Sequence, residues 1–226
     1  ADLDSDPLNY TWEQIDLGTE SSSPATMVDD GSRPLFRFVA PTSVPERTLP
    51  SLTSLLTNTL AIGEAWPATN RDLNFRLTAR DGKGGVASDD MKIQVVNTGK
   101  AFALTSPVVT PLGAGKTQTI SWEVAGTNAA PINCSKVDLY MTRDEGVNWT
   151  LLAGGQPNSG SASVAIPAGS DGTARLKVAC SDNLFFAISP LKLSVTQRVE
   201  GGGGGGGALG FWTLALALLG WQRRRA

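Results

Sequence analysis

The C-terminal stretch over residues 201–226 combines three features in a fixed order, and it constrains this chain more than any other stretch. Seven glycines come first, an apolar segment over residues 208–221 follows, and an arginine cluster comes last. A helix of about 14 residues is only about 21 Å long, whereas the hydrocarbon core of a bilayer is about 30 Å thick. Because a backbone in lipid must close its own hydrogen bonds, some of the glycines can extend the helix. The sequence therefore predicts one transmembrane helix within residues 208–226.

The residues that flank this segment predict its orientation and its processing. Arginines beside a membrane span stay on the cytoplasmic side, which places the C-terminus in the cytoplasm and residues 1–200 outside. These arginines are Arg223, Arg224 and Arg225. Glycine gains much conformational entropy when a helix unwinds. A Gly-rich linker over residues 198–207 is therefore predicted to hold a processing site, made of Gly201, Gly202, Gly203, Gly204, Gly205, Gly206 and Gly207.

This arrangement resembles the GlyGly-CTERM sorting signal of Gram-negative bacteria over residues 201–225. The resemblance implies a transient inner-membrane anchor that a rhombosortase-type intramembrane protease cuts near the glycines. It also implies that the protein then reaches the cell surface or the medium, usually by type II secretion. A plain C-terminal tail anchor, or a linker followed by a core helix, is the alternative interpretation.

Composition bounds the rest of the chain. With 226 residues, 41% hydrophobic and 18% charged, it is large enough for two small globular domains. It contains no histidine, which excludes the usual zinc-protease ligand set and any Ser-His or Cys-His relay within this chain. Basic residues are scattered, and this argues against a nucleic-acid partner. No signal peptide precedes Ala1, so we expect a C-terminal part of a longer exported precursor.

The pattern before the tail predicts an all-β fold of two Ig-like or fibronectin-III-like sandwiches, the first one N-terminally truncated. The first domain, residues 1–97, is predicted to be a partial Ig-like or cadherin-like unit. The aromatic face of its first strand, with Tyr10 and Trp12, should be buried. A helical turn or an irregular crossing is expected over residues 49–60. Strands are predicted over residues 8–16, 35–39, 72–80 and 87–96, the last two forming a hairpin around the glycine loop at 81–85.

The second domain, residues 98–197, has the spacing of a complete Ig-like sandwich. Seven short strands are predicted there, over residues 102–105, 118–124, 136–142, 149–153, 161–166, 174–181 and 191–196.

Cys134 and Cys180 are the only cysteines, and the tail predicts an oxidising compartment for both. A disulfide between them would close a loop of about 46 residues and stabilise the fold by roughly 4 kcal/mol. Two buried thiols, or metal or redox chemistry, are the alternatives.

Asp2, Asp4 and Asp6 resemble the acidic loop that precedes a strand in cadherin-like and PKD-like modules. Carboxylate oxygens suit Ca²⁺, and further ligands could come from Asp81, Asp89 and Asp90. The alternative is that these aspartates form turns and solvate strand ends.

Thr142, Asp144, Gly146 and Trp149 fit the S/T-x-D-x-G-x-x-W pattern of an Asp-box. That resemblance implies a structural role, in which the aspartate binds backbone N–H groups of a hairpin turn and the aromatic ring packs beneath it. Sugar binding is the alternative. Paired carboxylates such as Asp29 and Asp30 could in principle serve glycoside hydrolysis, but solvated loops are far commoner.

The chain also resembles the C-terminal region of bacterial reprolysin-like zinc metallopeptidases. The resemblance implies a noncatalytic accessory region whose Zn²⁺ and H-E-x-x-H helix belong to an upstream catalytic domain, so no catalytic residue is carried over. Its implied partners are that domain, the inner membrane and the rhombosortase-type protease. A nonenzymatic surface adhesin of Ig-like repeats is the alternative. The segments that carry the resemblance are NYTWEQID (9–16), GSRPLFR (31–37), ERTLPSL (46–52), LNFRLTARDGKGGVASDDM (73–91), ISWEVAGTNAAPINCSKVDLYMT (120–142) and ARLKVACSDNLFFAIS (174–189).

Overall fold

The computed structural model describes residues 6–20, 23, 26–107, 111–169 and 171–197. The regular secondary structure of the described chain is β-sheet, apart from one short helix, α1 (Leu52–Thr57). Its strands are β1 (Asn9–Gln14), β2 (Arg71–Arg80), β3 (Val86–Val95), β4 (Ala103–Ser106), β5 (Leu112–Gly113), β6 (Thr117–Glu123), β7 (Lys136–Thr142), β8 (Thr150–Pro157), β9 (Ser161–Ala165), β10 (Asp171–Cys180), β11 (Phe186–Ile188) and β12 (Leu193–Thr196).

The predicted sorting tail, residues 201–226, lies outside the described residues, as do Asp2 and Asp4. Within the described ranges, no helix is both long enough and apolar enough to cross a membrane.

The N-terminal part forms one antiparallel sheet in the order β1-β2-β3. The predicted hairpin is present, because β2 and β3 pair without a register shift from Arg71↔Val95 to Arg80↔Val86. One face of this sheet carries a hydrophobic cluster that the long irregular segment between β1 and β2 covers. Its buried members are Leu35, Phe36, Ala65, Leu73 and Phe75.

The predicted strand over residues 35–39 is wrong. Leu35 and Phe36 are buried, but both backbone N–H groups donate to the side-chain oxygen of Gln14, at 2.8 and 2.9 Å. The Leu35 carbonyl accepts from the backbone N–H of Ala65 at 3.1 Å. Because a glutamine side chain and a loop satisfy these backbone groups, the apolar pair is buried without a neighbouring strand.

The predicted burial of the aromatic face of β1 is only partial, although this face lies on the core side and Trp12 packs against the N-terminal core. Tyr10 and Trp12 are only half-buried, whereas Thr11 on the opposite face is buried. Thr11 lies directly across from Thr78, which is buried as well, and the Arg80 guanidinium donates to the Thr11 hydroxyl at 3.3 Å. The Trp12 indole N–H instead donates to the Pro45 carbonyl at 2.7 Å, which holds the ring at the rim of the core.

The C-terminal part has two sheets, in the orders β5-β12-β10-β7-β8, with β11 beside β10, and β4-β6-β9. Both sheets contribute to one core, which includes Ile120 and Trp122 from β6 and Leu139 and Leu176 from the larger sheet. The seven predicted strands are present, one with the predicted ends (β7) and six with shifted ends. The sequence missed only β5 and β11, which at two and three residues are too short to show an alternating pattern.

Candidate functional site

The predicted disulfide between Cys134 and Cys180 is present. It joins the loop before β7 to the end of β10, inside the C-terminal core, with both residues buried. Among the described residues, the only group of three metal-ligating side chains is Cys134, Cys180 and Asp182. Since the two sulfurs are bonded to each other, neither is a thiolate, and this group is not a metal site.

The four Asp-box residues run from the last residue of β7, Thr142, to the residue before β8, Trp149. The Thr142 hydroxyl donates to Asp144 Oδ1 at 2.7 Å and accepts from the Gly146 N–H at 3.0 Å. Asp144 also accepts from the backbone and side-chain nitrogens of Asn148, at 2.9 and 2.7 Å. These bonds, led by the Asn148 N–H, lower the pKa of Asp144 to about 2. The ionised Asp144 carboxylate therefore stabilises, by hydrogen bonds, the turn that precedes Trp149.

Gly146 is required at this turn for two reasons. Its φ is +86°, a left-handed conformation that favours glycine. A Cβ placed there would lie 3.0 Å from Leu52 Cδ2 and 3.4 Å from the Trp149 ring. The turn is therefore in contact with α1 of the N-terminal part.

Arg175 ties the same region to α1. This β10 residue is buried, and its guanidinium donates to the carbonyls of Ser189, at 2.8 Å, and Leu56, at 2.9 Å. Leu56 lies near the C-terminal end of α1, where carbonyls lack helical partners and a cation is favoured. The helix is thus fastened to the outer face of the larger sheet, on the side away from its core.

Next to this junction, the outer face carries three aromatic rings around one lysine. Lys177 lies on β10 directly opposite Tyr140 on β7, and all four side chains are half-buried. The Lys177 Nζ is 4.4 Å from the ring centroid of Trp149, 4.6 Å from that of Tyr140 and 5.7 Å from that of Phe186. We call these four residues the Lys177 cluster.

The ammonium of the Lys177 cluster has no ion-pair or hydrogen-bond partner among the described residues. The nearby Asp138 carboxylate accepts from the Gly155 N–H and the Ser181 hydroxyl through Oδ1, and from the Tyr140 hydroxyl at 3.5 Å through Oδ2. Burial lowers the pKa of Lys177, and attraction to Glu46 opposes that shift. Only Trp149 of this site could be picked out from the sequence, because the three rings come from separate segments of the chain.

Asp29 is a second carboxylate whose oxygens are engaged in hydrogen bonds, although the sequence predicted a solvated loop at this position. Its side chain is inaccessible to solvent and forms an ion pair with Arg71 at 3.0 Å. It also accepts hydrogen bonds from Ala68, Thr69 and Gly31, at 2.8 to 3.0 Å. Burial raises the pKa of Asp29, but these bonds outweigh it and lower the pKa to about 2. This geometry clamps the loop onto β2 and uses both oxygens of the Asp29 carboxylate in structural contacts.

The candidate calcium ligands stay a prediction, since Asp2 and Asp4 lie outside the described residues. Asp6 forms an ion pair with Lys83 at 2.6 Å. Asp81 accepts from the backbone N–H groups of its own turn, and Asp90 pairs with Arg76 at 2.7 Å. Within the described ranges, no three carboxylates gather into one cluster.

The lowered carboxylate pKa values predict a sign for the pH dependence of stability. Asp29 and Asp144 bind protons less readily in the folded state than in the unfolded chain, where the pKa is near 3.8. Their contribution is therefore complete above about pH 4 and is lost as the pH falls towards 2. Urea unfolding at pH 6, 4, 3 and 2 should show this loss. Between pH 6 and pH 2, the free energy of unfolding should fall less for Asp29→Asn than for the wild type. Equal stability of the wild type at pH 6 and pH 2 would contradict the assignment.

Comparisons with known proteins give no family. No protein-family model matches the sequence, and no curated protein matches it. Among solved structures, SGBP-B of the Bacteroides ovatus mixed-linkage glucan utilization locus, in complex with a mixed-linkage heptasaccharide, aligns with 86% of this chain at 13% identity and a TM-score of 0.27. The BSP domain of a biofilm associated protein aligns with 57% at 11% identity and the same TM-score. The chain spans 38% and 19% of their lengths, and neither assigns a function to it.

Proposed function

We propose that this chain is the noncatalytic C-terminal accessory and sorting region of a secreted, surface-processed zinc metallopeptidase. The observation that supports export is the Cys134–Cys180 disulfide, which uses both cysteines of the chain. Disulfides persist in oxidising compartments, where the proposed tail topology places residues 1–200.

The proposed organisation has four parts. Residues 1–97 form a partial Ig-like or cadherin-like domain, and residues 98–197 form an Ig-like or fibronectin-III-like sandwich. Residues 198–207 are the linker with the processing site, and residues 208–226 are the transmembrane helix with its arginine cluster. Two separate hydrophobic clusters support the division, since one uses residues 12–95 and the other uses residues 102–195.

In this proposal the tail acts before the domains do. It holds the precursor in the inner membrane with its C-terminus in the cytoplasm, and a rhombosortase-type protease cuts within residues 201–207. The released protein then goes to the cell surface or the medium by type II secretion.

The described domains then space the catalytic domain from the surface and grip substrate or matrix. They supply no zinc site, because the whole chain lacks histidine and its two cysteines are bonded to each other. Proteolysis belongs to the upstream domain. The purified chain should therefore hydrolyse no protein substrate, with or without added Zn²⁺.

The alternative is the Ig-like repeat region of a nonenzymatic bacterial surface adhesin, which the same disulfide and sheets would fit. The coding sequence upstream of residue 1 separates the two. An H-E-x-x-H motif there, with protease activity of the full precursor that a Glu→Gln change in the motif abolishes, supports the accessory role. Further Ig-like repeats without such a motif would contradict it.

A further inference from the structure

We infer that the Lys177 cluster is a binding site for a carboxylated sugar, such as a uronate residue of an extracellular polysaccharide. The starting point is the unpaired ammonium. Withdrawing a lysine head group from water is costly unless a partner replaces the water, and aromatic faces replace it only in part. No oxygen of the described residues accepts a hydrogen bond from the Lys177 Nζ, and the side chain is half-buried at the outer surface of the sheet.

The three rings specify the rest of the ligand. Aromatic rings bury large apolar area, and the C–H faces of a pyranose ring offer a surface of matching character. A carboxylate on the same sugar would form a charge-assisted hydrogen bond with Lys177. A neutral sugar would contact the rings but leave the ammonium without an anionic partner. A simple carboxylate would pair with the ammonium but make no contact with the rings. A carboxylated sugar satisfies both.

The site is held in place before any ligand arrives. Lys177 and Tyr140 are cross-strand partners in a continuous stretch of register, and Phe186 lies on the adjacent strand β11. The hydrogen-bonded turn of Thr142 and Asp144 fixes the approach of Trp149. Rigid placement of this kind reduces the entropy lost on binding.

Asp138 is the carboxylate that lies beside the site, because its Oδ2 accepts from the Tyr140 hydroxyl at 3.5 Å. Glu46 of the N-terminal part also attracts Lys177 and favours its charged form.

Isothermal titration calorimetry of the full chain, in a detergent without a sugar head group, tests the assignment. The probes are tri-galacturonate, maltotriose as the neutral sugar, and sodium acetate as the simple carboxylate. Tri-galacturonate should bind best, and Lys177→Met should weaken it by about tenfold or more, as expected for loss of a charged hydrogen bond. Lys177→Met should remain folded, because it replaces a half-buried charge with an apolar chain.

Lys136→Met is the matched control, since Lys136 is an exposed lysine on β7 of the same sheet. It should bind tri-galacturonate as the wild type does. No binding of tri-galacturonate, equal binding of acetate, or equal losses from the two lysine variants would each overturn the assignment. The site goes beyond the proposed function, and the assay measures neither proteolysis nor tail processing, so the two proposals can fail separately.

Discussion

Replacing Cys134 and Cys180 together by alanine should lower the free energy of unfolding of the C-terminal part by about 4 kcal/mol. The disulfide closes a loop of 46 residues, and without it the unfolded chain gains the corresponding conformational freedom. It also joins the loop before β7 to the end of β10 inside the core, where both residues are buried. Urea unfolding followed by tryptophan fluorescence measures the change, since Trp122 lies in the same core.

The control for this prediction is the wild-type chain unfolded in the presence of a reductant. Reduction removes the same cross-link without altering the side-chain volume, so its midpoint should fall close to that of the alanine pair. A midpoint of the alanine pair equal to that of the oxidised wild type would show that the disulfide does not stabilise this fold.

Asp29→Ala should destabilise the N-terminal part by about 3–5 kcal/mol, the usual cost of breaking one side of a buried ion pair. The change leaves the Arg71 guanidinium without its carboxylate in a site that excludes solvent. It also removes the acceptor for the backbone N–H groups of Ala68, Thr69 and Gly31. Chemical unfolding, followed by hydrogen exchange of the β2 amides, measures the loss and locates it.

Asp72→Ala is the matched control for Asp29→Ala. Asp72 also pairs with a cation, Lys92 at 3.0 Å, but both side chains are exposed. Its removal should cost less than about 1 kcal/mol. If Asp29→Ala is as mild as Asp72→Ala, the Asp29 clamp does not hold the loop onto β2.

Local patterns predicted the strands and the turn chemistry. The alternation of Leu73 and Phe75 with polar neighbours, followed by the glycine loop at 81–85, was enough to place the β2–β3 hairpin. The presence of only two cysteines, together with a tail that indicates an oxidising compartment, predicted the disulfide. The Asp-box spacing placed Asp144 at a turn where it accepts backbone hydrogen bonds.

Contacts between residues far apart in the sequence could not be predicted from local patterns. The backbone N–H of the buried Leu35 donates to a side chain 21 residues away, and no local pattern encodes that contact. The Arg175–Leu56 hydrogen bond joins residues 119 positions apart. The alternating pattern of β10 predicts only that Arg175 faces outward, not that α1 covers it. The Lys177 cluster likewise exists only once β7, β10 and β11 are side by side.

The central claim, that these domains are exported and released from a membrane tail, is tested most directly by the mass of the mature protein. The chain would be produced with its precursor in a Gram-negative host that has a rhombosortase-type protease, and the secreted material analysed by intact-mass and C-terminal peptide spectrometry. The control is a host without that protease. Protein made there should have the mass of a chain that still extends to Ala226. We expect the secreted product to end between Gly201 and Gly207, and secreted material that still carries Arg225 would contradict the account.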